Sequence, residues 1–199
     1  QQDGRKGELV LVHQPADVLK DEFNGEATAS KLARVREQME KEEAQYHIIS
    51  TLDDIAWILN VRGNDIPHVP VVLSFLVIGK EDAMWFVEEN ALSDAVKEMA
   101  AECGITIRPY EDVYAYAATI PEHSTVLLDK RKVNYRITNA LSETVHIVSK
   151  ANPSQLMKAI KNEIELENTR KAHLLDGIAV TKFMYWLKKN VGKIPMDEV

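Results

Sequence analysis

TLDDIAWILNVRGNDIPHVPVVLSFLVI (51–78) is the stretch of this 199-residue chain that decides its fold. Asp53 is a good helix N-cap, and Ile55, Trp57, Ile58 and Leu59 follow it closely, so 53–60 reads as a short helix. VRGNDIPHVP (61–70) crowds Gly, Asn, Asp and Pro into ten positions and reads as a loop. VVLSFLVIG (71–79) and AMWFV (83–87) are apolar runs of strand length, and the intervening KED marks a hairpin. A hairpin is antiparallel by construction, so any sheet that also contains crossover connections must be mixed.

Outward from that stretch, strands and helices alternate. GEATASKLARVREQMEKEEA (25–44) is an amphipathic helix in which Leu32, Val35 and Met39 recur at helical spacing. YHIIST (46–51) is a short β-branched strand. On the far side, 91–104 is a helix ended by Gly104, a residue that accepts a positive φ. ITIRPY (105–110), STVLLD (124–129) and TVHIVS (144–149) read as strands, with short helices at 112–119 and 133–141 between them. This order predicts an α/β domain over 23–150, a mixed β-sheet flanked by helices. Residues 1–22 read as a connector. A second unit, 151–199, opens with a short helix and continues as a long one capped by Asn162 with Glu165 as its capping-box partner. Ile164, Ala172, Leu175, Ala179, Phe183 and Trp186 make one stripe along that helix, which needs a partner that the remaining chain is too short to supply. The start resembles the interior of a longer chain, and the C-terminus stops without a structural end.

Composition excludes some functions. A net charge of −7 with acids and bases interspersed disfavours nucleic-acid binding, which wants a basic face. No apolar run has the length to span a bilayer. Cys103 is the only cysteine, which excludes an intrachain disulfide and fits a reducing compartment. The six histidines form neither HExxH nor any close pair, and no GxSxG elbow or phosphate loop occurs. Asp53–Asp54 reads as helix capping, Glu81–Asp82 and Glu88–Glu89 as turns, and DKRK (129–132) as a solvated turn. Asn60, Arg62, Gly63 and Asp65 stand out as candidate ligand-contacting residues, because a polar loop after an apolar α/β segment is a common contact point. For Arg62 the structural alternative is a salt bridge to Asp65 that staples the loop.

With Asp53, Asp54, Ile55, Ala56, Trp57, Leu59, Asn60, Arg62 and Gly63 in this order, followed by Asp65, Ile66, Pro67 and Pro70, the segment resembles the middle domain of three-domain Xaa-Pro aminopeptidases. GEATASKLARVRE (25–37) is similar to another segment of that family. Lys161, Asn162, Glu163, Ala172, His173, Asp176, Gly177, Phe183 and Trp186 match the segment that opens its catalytic domain. Val69, Val72 and Phe75 depart from the family pattern, where Asn, Phe and Tyr are usual.

The resemblance implies a creatinase/prolidase N-terminal-like fold followed by the first helices of a truncated pita-bread catalytic domain. It implies a parent hydrolase that removes an N-terminal residue preceding proline with water activated by two divalent metals, expected to be manganese. Those metals would be bound downstream, so no catalytic residue, metal ligand or cofactor is expected in this stretch. The implied partners are a peptide with proline second and, for the full-length protein, a second copy in a homodimer, in the cytoplasm. The expected role of this portion is scaffolding, substrate access and oligomerisation. A non-enzymatic peptide- or protein-binding module of the pita-bread superfamily is the alternative.

Overall fold

The computed structural model describes residues 15–196. Its centre is a six-stranded mixed sheet in the order β6-β5-β4-β2-β7-β8. β2 (Tyr46–Ile49), β4 (Ser74–Gly79) and β5 (Ala83–Val87) are antiparallel neighbours, and β6 (Ile105–Arg108), β7 (Thr125–Leu128) and β8 (His146–Ser149) join in parallel. The expected hairpin is the β4–β5 pair, closed by Gly79 N donating to Asp82 O at 2.9 Å.

SFLVIG is continuously buried because helices cover both faces of the sheet, so neither set of alternating side chains meets water. Leu76 and Ile78 enter one core with Leu32, Val35 and Met39 of α2 (Thr28–Lys41), Ile55 and Ile58 of α3 (Leu52–Ile58), and Val96 of α4 (Asp94–Glu102). Phe75 and Val77 enter the other, with Val113 and Ala117 of α5 (Asp112–Ala118) and Ile137 of α6 (Tyr135–Ala140). Gly104 ends α4 at φ +67°, as its position predicts.

Of the expected connector, residues 1–14 lie outside the described residues. The remainder is tied to the domain. Ala16 is buried, β1 (Asp17–Val18) pairs with β3 (Val61–Arg62), and Leu19 N donates to Asn60 O at 2.6 Å. α1 (Asp21–Asn24) then leads into α2. At the other end, the division expected at 150/151 falls before α7 (Pro153–Ala159), yet α7 lies against α2 and α3 with Asn152 and Ser154 fully enclosed. α8 (Glu163–Asn190) carries the expected capping box, with Asn162 Oδ1 accepting from Glu165 N and Glu165 Oε2 from Asn162 N, each at 2.9 Å.

The acidic pair at the start of α3 does something other than cap. Thr51 occupies the N-cap, and its hydroxyl donates to Asp54 Oδ2 at 2.5 Å. Asp53 lies inside the first turn and pairs with Lys158 of α7. Asp54, completely buried, also accepts from Lys158 Nζ at 3.0 Å and Asn152 Nδ2 at 3.1 Å. The expectation of capping fails because a buried carboxylate needs donors wherever they lie, and α7 supplies them across about a hundred residues of chain.

Two stability predictions follow from these buried groups. Asp54→Ala removes the buried acceptor shared by Thr51, Asn152 and Lys158, leaving Lys158 only Asp53 and Asn152 only the Thr51 hydroxyl, and should cost about 2 kcal/mol in urea unfolding, with Asp54→Asn recovering part of it. His47 is fully buried on β2, its Nδ1 donating to Leu127 O at 2.9 Å and its Nε2 without a hydrogen-bond partner among the described residues. Burial holds its pKa down to about 4, from an ordinary 6.5. The unfolded chain therefore takes up a proton that the folded chain refuses. Stability should fall by about 3 kcal/mol as pH drops from roughly 6.5 to 4. In His47→Gln, urea midpoints over the same window should be flatter.

Candidate functional site

The site is built where α3 ends. Asn60 follows the helix at φ +53°, a left-handed conformation that Asn tolerates better than most residues. This turns its side chain under α2, where Oδ1 accepts from Lys31 Nζ at 2.6 Å and Nδ2 donates to Glu26 O at 2.8 Å. Lys31 is 1 % exposed. Its ammonium also donates to Trp57 O at 2.9 Å and sits 4.3 Å from the centre of the Trp57 ring. Burial lowers its pKa to about 8, opposed by the carboxylates of Glu165 and Glu26 and assisted by the guanidinium groups of Arg62 and Arg34.

Trp57 passes the contact on to α8, its indole Nε1 donating to Glu165 Oε1 at 3.1 Å. Two asparagines fasten the same helix from α1 and its flank. Asn162 Nδ2 donates to Asn24 O and Asn168 Nδ2 to Glu22 O, both at 2.8 Å. Gly25 makes this approach possible. It has φ +64°, and a Cβ there would lie 2.7 Å from Asn162 Oδ1 and 2.9 Å from Ile164 Cβ.

A cavity of about 500 Å3 lies between this cluster, the 66–71 loop and α8. Asn60 and Arg62 both line it, whereas Gly63 and Asp65 do not. Asn60 is buried with its side-chain groups bonded as described. Arg62 is half-buried. Its Nη1 donates to Ala56 O at 2.7 Å and Val61 O at 3.0 Å, which ties the strand to the end of α3. Burial pushes its pKa down while the Glu165 carboxylate pulls it up. Gly63 is a close-approach position, because a Cβ would stand 2.5 Å from Val72 Cγ2 and 3.0 Å from Val71 O. Asp65 holds the loop from another point, Oδ2 accepting from Leu73 N at 2.7 Å.

Sequence reading passed over Lys31, Trp57 and Glu165 as site residues. Lys31 had a legible signal: it precedes Val35 by four and Met39 by eight, which puts it on the buried stripe of α2. No comparable signal marks the Trp57–Glu165 bond, whose partners are 108 residues apart. The described residues include no group of three or more His, Cys, Asp or Glu placed to hold a metal ion. No helix among them is long and apolar enough to cross a membrane.

A mixed sheet covered on both faces, extended by a long capped helix, defines an α/β domain of the creatinase-like class. Residues 10–165 match the family described as the Creatinase/Prolidase N-terminal domain, and the chain belongs to it. It is 35 % identical over 197 residues to a protein named Probable Xaa-Pro aminopeptidase P from Neurospora crassa, covering 94 % of this chain and 29 % of that protein. With Xaa-Pro aminopeptidase 1 of Dictyostelium discoideum the identity is 35 % over 173 residues, covering 87 % and 27 %. The crystal structure of X-prolyl aminopeptidase from Caenorhabditis elegans, described as a cytosolic enzyme with a di-nuclear active site, is similar over 90 % of this chain and 30 % of its own, at 28 % identity and a TM-score of 0.81. The chain thus spans roughly a third or less of the length of these relatives.

Trp57→Phe keeps the ring over Lys31 and deletes only the indole N–H. It should cost about 1–2 kcal/mol in chemical denaturation. Hydrogen exchange should accelerate in the first turns of α8 and stay unchanged in β4.

Proposed function

We propose that this chain is the non-catalytic portion of an Xaa-Pro aminopeptidase, a hydrolase that removes an N-terminal residue preceding proline. One observation carries this reading: 94 % of the chain aligns at 35 % identity with 29 % of a protein of that name. The two divalent metals, manganese in this proposal, belong to the remainder of the longer protein, in keeping with the di-nuclear site of the Caenorhabditis elegans enzyme. The substrate is a peptide with proline second, and the parent protein is a cytoplasmic homodimer.

Within that protein this portion acts as a scaffold. Clamped at its start by Trp57, Asn24 and Glu22, α8 leaves the domain in a defined direction. Leu174, Leu175, Phe183 and Trp186 along it are all exposed. In this reading the rest of the protein covers them, which would make the clamp the means by which the domain orients its neighbour. The loop Asn60–Asp65 lies beside the path of the peptide, with Arg62 as its contact.

The test is peptidase kinetics on the longer protein supplied with manganese. Release of the first residue from an Xaa-Pro peptide is expected, and its absence would remove the reading. Arg62→Ala should lower kcat/KM by about tenfold, equivalent to roughly 1.4 kcal/mol of transition-state binding, while the protein stays folded. Unchanged kinetics would take the loop off the substrate path.

A further inference from the structure

The cavity beside α8 has an uneven balance of committed charge. Lys31, Arg62, Lys158 and Lys161 line it, against Asp53 and Glu165. Both acids are engaged: Glu165 accepts from Trp57 Nε1 and Asn162 N, and Asp53 pairs with Lys158. The Lys31 ammonium is held by Trp57 O and Asn60 Oδ1. Arg62 differs from these. Its Nη1 alone is used, on two carbonyls, and among the described residues Nε and Nη2 donate to no protein group. Lys161 is exposed at the same cavity and makes no ion pair among the described residues.

A guanidinium edge with two parallel N–H groups matches the two oxygens of a carboxylate, and partial burial strengthens that pairing. The remaining walls carry Asn24, Asn60, Asn168 and Thr169 and an apolar side. Trp57 and Pro70 stand beside Phe23 and Val69, which are 46 % and 43 % exposed. Cationic donors beside an apolar wall suit a ligand that ends in a carboxylate and carries a hydrophobic side chain.

We propose that this cavity binds the C-terminal carboxylate of a short apolar peptide, with the Nε–Nη2 edge of Arg62 taking the charge, Lys161 supporting it, and Trp57, Val69 and Pro70 taking the terminal side chain. This deepens the reading of the Arg62 loop as a peptide contact and rests on it for the peptide; the preference for a carboxylate comes from the charge balance.

Calorimetric titration of the chain with N-acetyl-Leu-Leu and with its C-terminal amide tests the proposal. The acetyl group blocks the amino end and the probe lacks proline, so binding is read independently of Xaa-Pro cleavage. The acid should bind about tenfold more tightly than the amide, and Arg62→Gln should abolish the difference. Equal binding of acid and amide, no binding at millimolar concentration, or a preference that survives in a folded Arg62→Gln protein would each overturn it. Should Arg62→Gln fail to fold, Lys161→Glu, at an exposed position between α7 and α8, decides the question. Weaker binding of the acid with unchanged binding of the amide supports the site, and no change rejects it. Loss of peptidase activity in the longer protein with the carboxylate preference intact would sink the enzymatic reading alone.

Discussion

A positive charge buried at the foot of α2 is the constraint around which the rest of the site is arranged. An ammonium taken out of water is tolerated only when its donors find acceptors and an opposite charge lies near. Lys31 satisfies this with Trp57 O, Asn60 Oδ1, the face of the Trp57 ring and the carboxylates of Glu165 and Glu26. Each partner is held in turn by its own structure: Asn60 by a left-handed backbone, Trp57 by α3, and Glu165 by the capping box of α8. Burial lowers the pKa of Lys31 against the pull of the two carboxylates. The group ties three helices to one geometry, a specifying role known for other buried charges.

A second buried charge works at the other end of α3. Asp54 collects Thr51, Asn152 and Lys158, so α7 is fastened to the first turn of α3 as α8 is fastened to its last. One seven-residue helix thereby fixes two helices more than ninety positions away in sequence. The consecutive acids and the following tryptophan in DDIAW have a common physical explanation. Asp53 and Asp54 hold Lys158, and Trp57 holds Glu165. Gly25 belongs to the same arrangement, since α8 can begin where it does only if no side chain stands at that position.

Most of the architecture was legible in the chain. The hairpin at 71–87, the strands that follow it, α2 and the capped start of α8 all announce themselves through local periodicity, β-branched runs and capping residues, because those signals arise between residues a few positions apart. The creatinase/prolidase fold was legible too, through the long ordered match at 51–78. The charged groups were misread where their partners are distant. Asp53 looked like a cap because capping is the commonest use of an acid before an apolar turn, and Lys31 was passed over because a lysine is seldom buried.

By itself the sequence determined the element order, the mixed sheet and the family. The tertiary structure alone decided that Asn60 turns inward as a structural acceptor and donor, that Arg62 lines a cavity with one guanidinium edge unspent, and that α7 and α8 are gripped by α3. The physical reason is the range of the forces involved. Backbone propensity and apolar periodicity act within a turn or two of chain, whereas a buried charge takes whichever partner the fold brings within about 3 Å, and the sequence separation of that partner is unconstrained.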